Sequence, residues 1–191
     1  MEKDEKLYVG LIGEMGSGKS LISNLLEKHF QAKILASSQL LRKALGIFLD
    51  DLARKDFIWF TEQLINKYGK DIISKAVFKA MRESKNKIVV FNGVRLPIDC
   101  ENLKNENGIL VYITASSKLR WNRVLGRKEK ADDGAPYNKF MEMQKAETEK
   151  YIPELGIQAD YQIINDGTLE ELENKVVALF QSIIKKHQII K

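Results

Sequence analysis

Eight consecutive residues constrain this chain more than any other feature. Gly13-Glu14-Met15-Gly16-Ser17-Gly18-Lys19-Ser20 fits G-x-x-x-x-G-K-[ST], the pattern of a phosphate-binding loop. Such a loop works only between a buried strand and a helix, and both are predicted here. Leu7 to Ile12 is a short, nearly continuous apolar run, as expected of a parallel strand covered on both faces. Lys19 to Phe30 carries helical spacing. Glycines let the backbone take conformations forbidden to a Cβ and turn its N–H groups onto phosphate oxygens. The helix start adds the positive end of its dipole. The whole stretch Gly13, Glu14, Met15, Gly16, Ser17, Gly18, Lys19 and Ser20 is therefore expected to bind a nucleoside triphosphate. Lys19 would reach the β and γ phosphates, and the Ser20 hydroxyl would ligate the accompanying magnesium ion.

The same strand signature recurs at Ile88–Phe91, Ile109–Ile113 and Tyr161–Ile164, with a weaker run at Lys33–Ala36. Helical segments lie between them, the last from Leu169 to Ile184 opened by Thr168 and Glu171 at capping-box spacing. The alternation predicts a three-layer α/β fold with a five-stranded parallel sheet. From Ser38 to Ser84 there is no strand signal, only helical spacing such as Ile73, Val77, Ala80 and Met81. A second irregularity, Gly126 to Tyr137, is rich in charge and broken by Gly and Pro, as in a loop.

At 191 residues the chain is expected to form one domain over 1–191. Its 44% apolar and 30% charged content is that of an ordinary globular protein, and no apolar run approaches the ~18 residues of a membrane span. The net charge of +5 is spread along the chain, which suits small anions rather than nucleic acid. The N-terminus lacks a secretory pattern, and the expectation is a cytoplasmic protein. Cys100, the single cysteine, is read as a buried bystander, and His29 and His187 as surface residues. Phe48, Phe57, Trp59 and Phe60 are read as core, with an aromatic pocket for an acceptor base as the alternative.

Together, the loop, the helical insertion after the second strand and the late charged loop resemble the nucleoside monophosphate kinase and dephospho-CoA kinase group of P-loop kinases, along nearly the whole chain. The resemblance implies a core of 6–37, 86–125 and 138–187, a helical acceptor-binding insertion at 38–85 and a lid at 126–137. Ser37-Ser38-Gln39-Leu40-Leu41-Arg42 stands where the group opens its acceptor-binding helices, implying Ser37 and Arg42 as acceptor ligands. Phe91-Asn92-Gly93-Val94-Arg95 looks like the group's strand-end D-G-x-x-R, in the compact form that archaeal relatives carry as D-G-V-R, implying acceptor-side roles for Asn92 and Arg95. A salt bridge from Arg95 to Asp99 or Glu101 is the structural alternative. The segment Ala159-Asp160-Tyr161-Gln162-Ile163-Ile164-Asn165-Asp166-Gly167 is similar to the group's A-D-Y-x-I-x-N-x-G ending, implying that Asp166 and Gly167 lie beside the donor adenine.

Arg120, Arg123 and Arg127 fall within about 60° of one another on a helix. By resemblance they belong to the lid, with Arg123 and Arg127 stabilising the transferring group alongside Lys19. Two departures bear on activity. Asn92 replaces the usual acid, and Ser38 stands where dephospho-CoA kinases carry their general base. The leading expectation is therefore transfer from ATP, with magnesium, to a nucleoside or deoxynucleoside monophosphate, whose phosphate oxygen needs no base. A dephospho-CoA kinase and a nucleotide-binding switch or slow ATPase are the alternatives.

Overall fold

The structure is a computed structural model, and it describes residues 6–127, 134–146 and 149–189. Five strands form its centre: β1 (Leu7–Ile12), β2 (Lys33–Leu35), β3 (Ile88–Val94), β4 (Ile109–Thr114) and β5 (Tyr161–Ile164). All pair in parallel, in the order β2-β3-β1-β4-β5, so the phosphate loop leaves the middle strand. Parallel pairing requires a crossover between partners, and helices supply it. The crossovers carry α1 (Lys19–Phe30), α2 (Ser37–Leu45), α3 (Arg54–Tyr68), α4 (Ile72–Glu83), α5 (Pro97–Asn105), α6 (Ser117–Arg127), α7 (Tyr137–Met143) and α8 (Ile152–Ile157), and α9 (Leu169–Lys186) follows the last strand.

Successive strand residues point to opposite faces, and both faces are buried. Val9, Leu11, Val90, Val111 and Ile113 pack against Ile22 and Leu26 of α1 and Val176 and Phe180 of α9. Val89, Phe91, Leu110 and Tyr112 face the other way, onto Val77, Phe78 and Met81 of α4 and Leu103 of α5. The continuous apolar runs of the sequence thus serve two cores, which makes the fold three-layered.

Two helix starts follow from local chemistry. The Thr168 hydroxyl accepts the Glu171 N–H at 3.2 Å while the Glu171 carboxylate accepts the Thr168 N–H at 2.9 Å, closing the expected capping box of α9. Pro97 begins α5, where a missing N–H is harmless. Asp99, two residues on, accepts the N–H groups of Arg95 and Leu96 at 3.0 Å each, fixing the backbone at the exit of β3.

Two details depart from expectation. β3 continues past Phe91 through Asn92 and Gly93, because Gly93 takes a φ of +121° and forms a bulge against β1, where Leu11 opposes Asn92 but Ile12 opposes Val94. Phe48, Phe57, Trp59 and Phe60 are not core: Phe48 is 81% and Trp59 59% exposed, and Phe57 and Phe60 are only half-buried. The physical reason is that α3 packs on α2 and α4 rather than on the sheet, so much of its surface has no neighbour. Of the lid expected at 126–137, residues 128–133 lie outside the described residues.

Candidate functional site

The loop 13–20 is held so tightly that its glycines admit no substitute. A Cβ on Gly13 would stand 2.1 Å from the Ile113 carbonyl oxygen. Gly16, at φ +79°, would meet the Arg120 carbonyl oxygen at 2.5 Å, and Gly18, at φ +102°, the Asn165 amide nitrogen at 2.3 Å. The Ser17 N–H closes on the Glu14 carbonyl at 3.1 Å. Gly18 leads directly into α1, which has no side-chain cap and no acid in its first turn, so its leading N–H groups remain available to an anion.

Three loop residues divide the work. Glu14 turns inward, its Oε1 accepting from the Tyr112 hydroxyl at 2.6 Å and Thr114 Oγ1 at 3.4 Å, which pins the loop to β4. Met15 contributes its carbonyl, described below. Ser20 sits exposed at the first turn of α1.

Lys19 folds back over the loop and donates to the carbonyls of Gly13 at 2.5 Å and Glu14 at 3.0 Å. Burial pushes its ammonium down to about 8, the nearby positive charge of Arg95 pushes the same way, and Glu149 and Glu14 oppose them. A cation held under such conditions is one that an arriving polyanion relieves.

Two of the three arginines of α6 turn toward the loop, in different capacities. Arg120, read from sequence as a cation of the lid, is only 6% exposed. It donates to the carbonyls of Ala115 at 3.0 Å and Met15 at 3.3 Å and to Gln144 Oε1 at 2.7 Å, so it buttresses the loop from behind. Helical spacing placed the three arginines on one arc but said nothing of what that arc faces. Arg123 donates through Nη2 to the Asn165 backbone oxygen at 2.8 Å and side-chain oxygen at 3.4 Å, while its buried Nη1 has no partner. Arg127 lies at the C-terminal end of α6.

Asn165 joins the site without a sequence signal of its own. It is 4% exposed, donates from Nδ2 to the Ser17 carbonyl at 2.8 Å, and accepts from Arg123, so it ties α6 to the loop. It is the asparagine of the A-D-Y-x-I-x-N-x-G segment, next to Asp166 and Gly167. Asp166 accepts the Ser116 N–H at 2.8 Å, and Gly167 lies so near Glu171 that a Cβ would stand 2.0 Å from its carboxylate.

The residues expected on the acceptor side separate. Arg95 leaves the end of β3, and its guanidinium pairs with Glu149, not with Asp99 or Glu101. Asn92, half-buried, sits just before the bulge. Ser37 opens α2, and Arg42 lies exposed on the same helix with its guanidinium 5.0 Å over the Phe57 ring. The contacts of the phosphate loop thus bring together Lys19, Arg120, Arg123 and Asn165, with Arg95 and Glu149 close enough for their charge to act on Lys19, and leave Arg42 on the insertion.

No protein-family model matches the chain. It is similar to UPF0200 proteins of archaea: one from Saccharolobus islandicus is 29% identical over 178 residues, covering 92% of this chain and 93% of that protein. Another, from Methanococcus maripaludis, is 26% identical over 186 residues, covering 92% and 97%. Among solved structures it resembles shikimate kinase from Bacteroides thetaiotaomicron, with a TM-score of 0.64, 16% identity and coverage of 92% and 98%. Shikimate kinase from Acinetobacter baumannii in complex with shikimate gives 0.58, 19%, and coverage of 94% and 95%. At these identities the likeness concerns the fold, which is the three-layer α/β fold of P-loop kinases with a five-stranded parallel sheet.

Proposed function

We propose that this chain is an ATP-dependent phosphotransferase acting on a small phosphate-bearing acceptor, a nucleoside or deoxynucleoside monophosphate. The observation that carries the proposal is the environment of Lys19. Its ammonium is buried at a glycine-lined loop, within reach of the charge of Arg95 and at the start of an uncapped helix. The kinase fold of the similar structures supports the same reading.

In this proposal the loop amides and Lys19 hold the donor phosphates, and Arg123, with its buried unpartnered Nη1, offers charge to the transferring group. Arg127 joins it from the end of α6 and the segment 126–137 acts as the lid, excluding water. Arg95, Asn92, Ser37 and Arg42 serve the acceptor. The Asp166–Gly167 turn lies beside the donor base. A monophosphate oxygen is already ionised near neutrality, so the absence of a carboxylate at Ser38 is no obstacle to transfer. The same absence weighs against dephospho-CoA, whose hydroxyl must lose a proton.

The described residues contain no cluster of three or more His, Cys, Asp or Glu suited to a metal. A magnesium ion fits nonetheless, because it takes most of its ligands from water and phosphate and needs only one or two from protein. Ser20 and Asn92 are the candidates. When bound, the ion would neutralise charge between adjacent phosphates.

The test is ADP formation from ATP and magnesium across ribo- and deoxynucleoside monophosphates, dephospho-CoA and shikimate, with products identified by mass and Lys19→Ala as control. A phosphorylated monophosphate that disappears with Lys19→Ala is expected. Tight ATP binding with no product from any acceptor would sink the transferase and leave a nucleotide-binding switch.

A further inference from the structure

Beside the phosphate loop lies a charge that its chemistry does not call for. Glu149 is a carboxylate whose side chain is 11% exposed, on the turn before α8, near a loop that must admit several negative charges. An enclosed carboxylate persists only with a partner, and Arg95 is that partner. The backbones of both residues are fixed: Arg95 N–H by Asp99, and the Glu149 turn by its N–H donating to Ala146 O at 2.8 Å and its carbonyl accepting from Ile152 at 3.1 Å. Only the two side chains have freedom, and the Arg95 side chain keeps 43% of its surface, so a ligand can approach it from solvent.

A guanidinium presents the same planar fork to a carboxylate and to a phosphate. On the acceptor reading of Arg95 given above, we propose that Glu149 occupies on Arg95 the place that the acceptor's phosphate takes, so that acceptor binding exchanges one anion for the other. Glu149 thereby sets how strongly an acceptor must bind. Every anion that engages Arg95 first displaces an internal carboxylate present at high effective concentration. Anions that bind weakly fail to do so, whereas a phosphate dianion, which makes stronger contacts with a guanidinium, succeeds. The exchange needs no movement of backbone, only rotation of the Glu149 side chain away from Arg95.

The experiment is calorimetric titration of nucleoside monophosphates and, separately, inorganic phosphate into protein whose loop is saturated with a non-hydrolysable ATP analogue. Wild type, Glu149→Gln, Arg95→Ala and the double variant are compared, with Glu149→Ala as a second removal of the charge and melting curves as the check on folding. Glu149→Gln is expected to bind the monophosphate about tenfold more tightly, and the gain is expected to vanish in the Arg95→Ala background. Unchanged or weaker monophosphate binding in both Glu149 variants overturns the exchange while leaving the phosphotransferase intact. Tightening of the ATP analogue, titrated separately into the ligand-free variants, instead of the monophosphate overturns it too, by assigning Arg95 to the donor. If no monophosphate binds any variant but inorganic phosphate binds Glu149→Gln more tightly, the exchange stands and the nucleoside monophosphate reading falls. Absence of binding by either ligand to every variant overturns both.

Discussion

Lys19 carries the clearest consequence at the scale of single residues. Its folded value of about 8 lies below the ordinary 10.5 of lysine, so between those values the unfolded chain binds the proton and the folded chain does not. The ligand-free fold therefore gains stability as pH rises from about 8 toward 10.5, since losing the proton relieves the buried charge. Phosphate binding needs the proton, which gives affinity the opposite trend. ATP affinity is expected to be flat below about pH 8 and to fall above it by up to about tenfold per pH unit. A fluorescent nucleotide titrated across this range checks it, and affinity that stays level to about pH 10 would remove the buried ammonium from the account.

Asn165 makes a second case. Asn165→Ala removes the side-chain donor of the Ser17 carbonyl and the longer, side-chain contact of Arg123 while keeping the Arg123 bond to the backbone oxygen, and is expected to cost about 1–3 kcal/mol in a denaturation experiment, along with weaker nucleotide binding. Asn165→Asp keeps an acceptor for Arg123 but sets a carboxylate oxygen against the Ser17 carbonyl. It is expected to weaken nucleotide binding further than the alanine does. Equal nucleotide affinities in wild type and both variants would make Asn165 a bystander.

These residues also show what sequence can and cannot carry. The loop was legible because each of its requirements is local: a positive φ at Gly16 and Gly18, a helix start at Lys19. Arg95 was legible as a strand-end residue, but its partner was not, since Glu149 lies 54 positions away with no motif around it. Arg120 had the right spacing and a different employment, because periodicity gives an arc and not the surface that the arc meets.

At the scale of elements, α6 is a brace as much as a carrier of charge. Its backbone touches Gly16, and its side chains reach Met15 and Asn165. Two glycine substitutions separate this contact from general helix effects. Gly16→Ala forces a Cβ against the Arg120 carbonyl in a conformation that L-residues avoid, and is expected to cost about 1–3 kcal/mol and to abolish nucleotide binding. Gly126→Ala, within α6 and with open space around its Cβ, is expected instead to stabilise the ligand-free protein by about 0.5–1 kcal/mol. Melting curves with and without nucleotide read both. Strands were legible from apolar runs buried on two faces, which tertiary structure had no reason to override. The extension of β3 was not, because Asn92 and Gly93 end the apolar signal while the bulge at Gly93 lets pairing continue. The exposure of Trp59 was hidden for a related reason: composition favours burial, and only the packing of α3 on other helices leaves it without a neighbour.

For the whole molecule, ligand binding and folding are linked by mass action. Nucleotide at about 100 times its dissociation constant adds about 2.7 kcal/mol to the folded state. For a chain of this size that corresponds to a rise of about 5–10 °C in melting temperature. A thermal scan with ATP and magnesium checks it, with Lys19→Ala expected to show little rise. No described helix is long and apolar enough to cross a membrane.

The order β2-β3-β1-β4-β5 places the first strand in the middle and the last at an edge. The groups around the loop are drawn from residues 13–20, 95, 120–123, 149 and 165, so the final contribution arrives with the turn after β5. During synthesis, a chain halted before that turn would carry the full glycine-rich motif with the Ser17 carbonyl and Arg123 still lacking their common partner. On the proposed function, competence to hold a nucleotide is thus a property that the ribosome completes late, with the turn after β5.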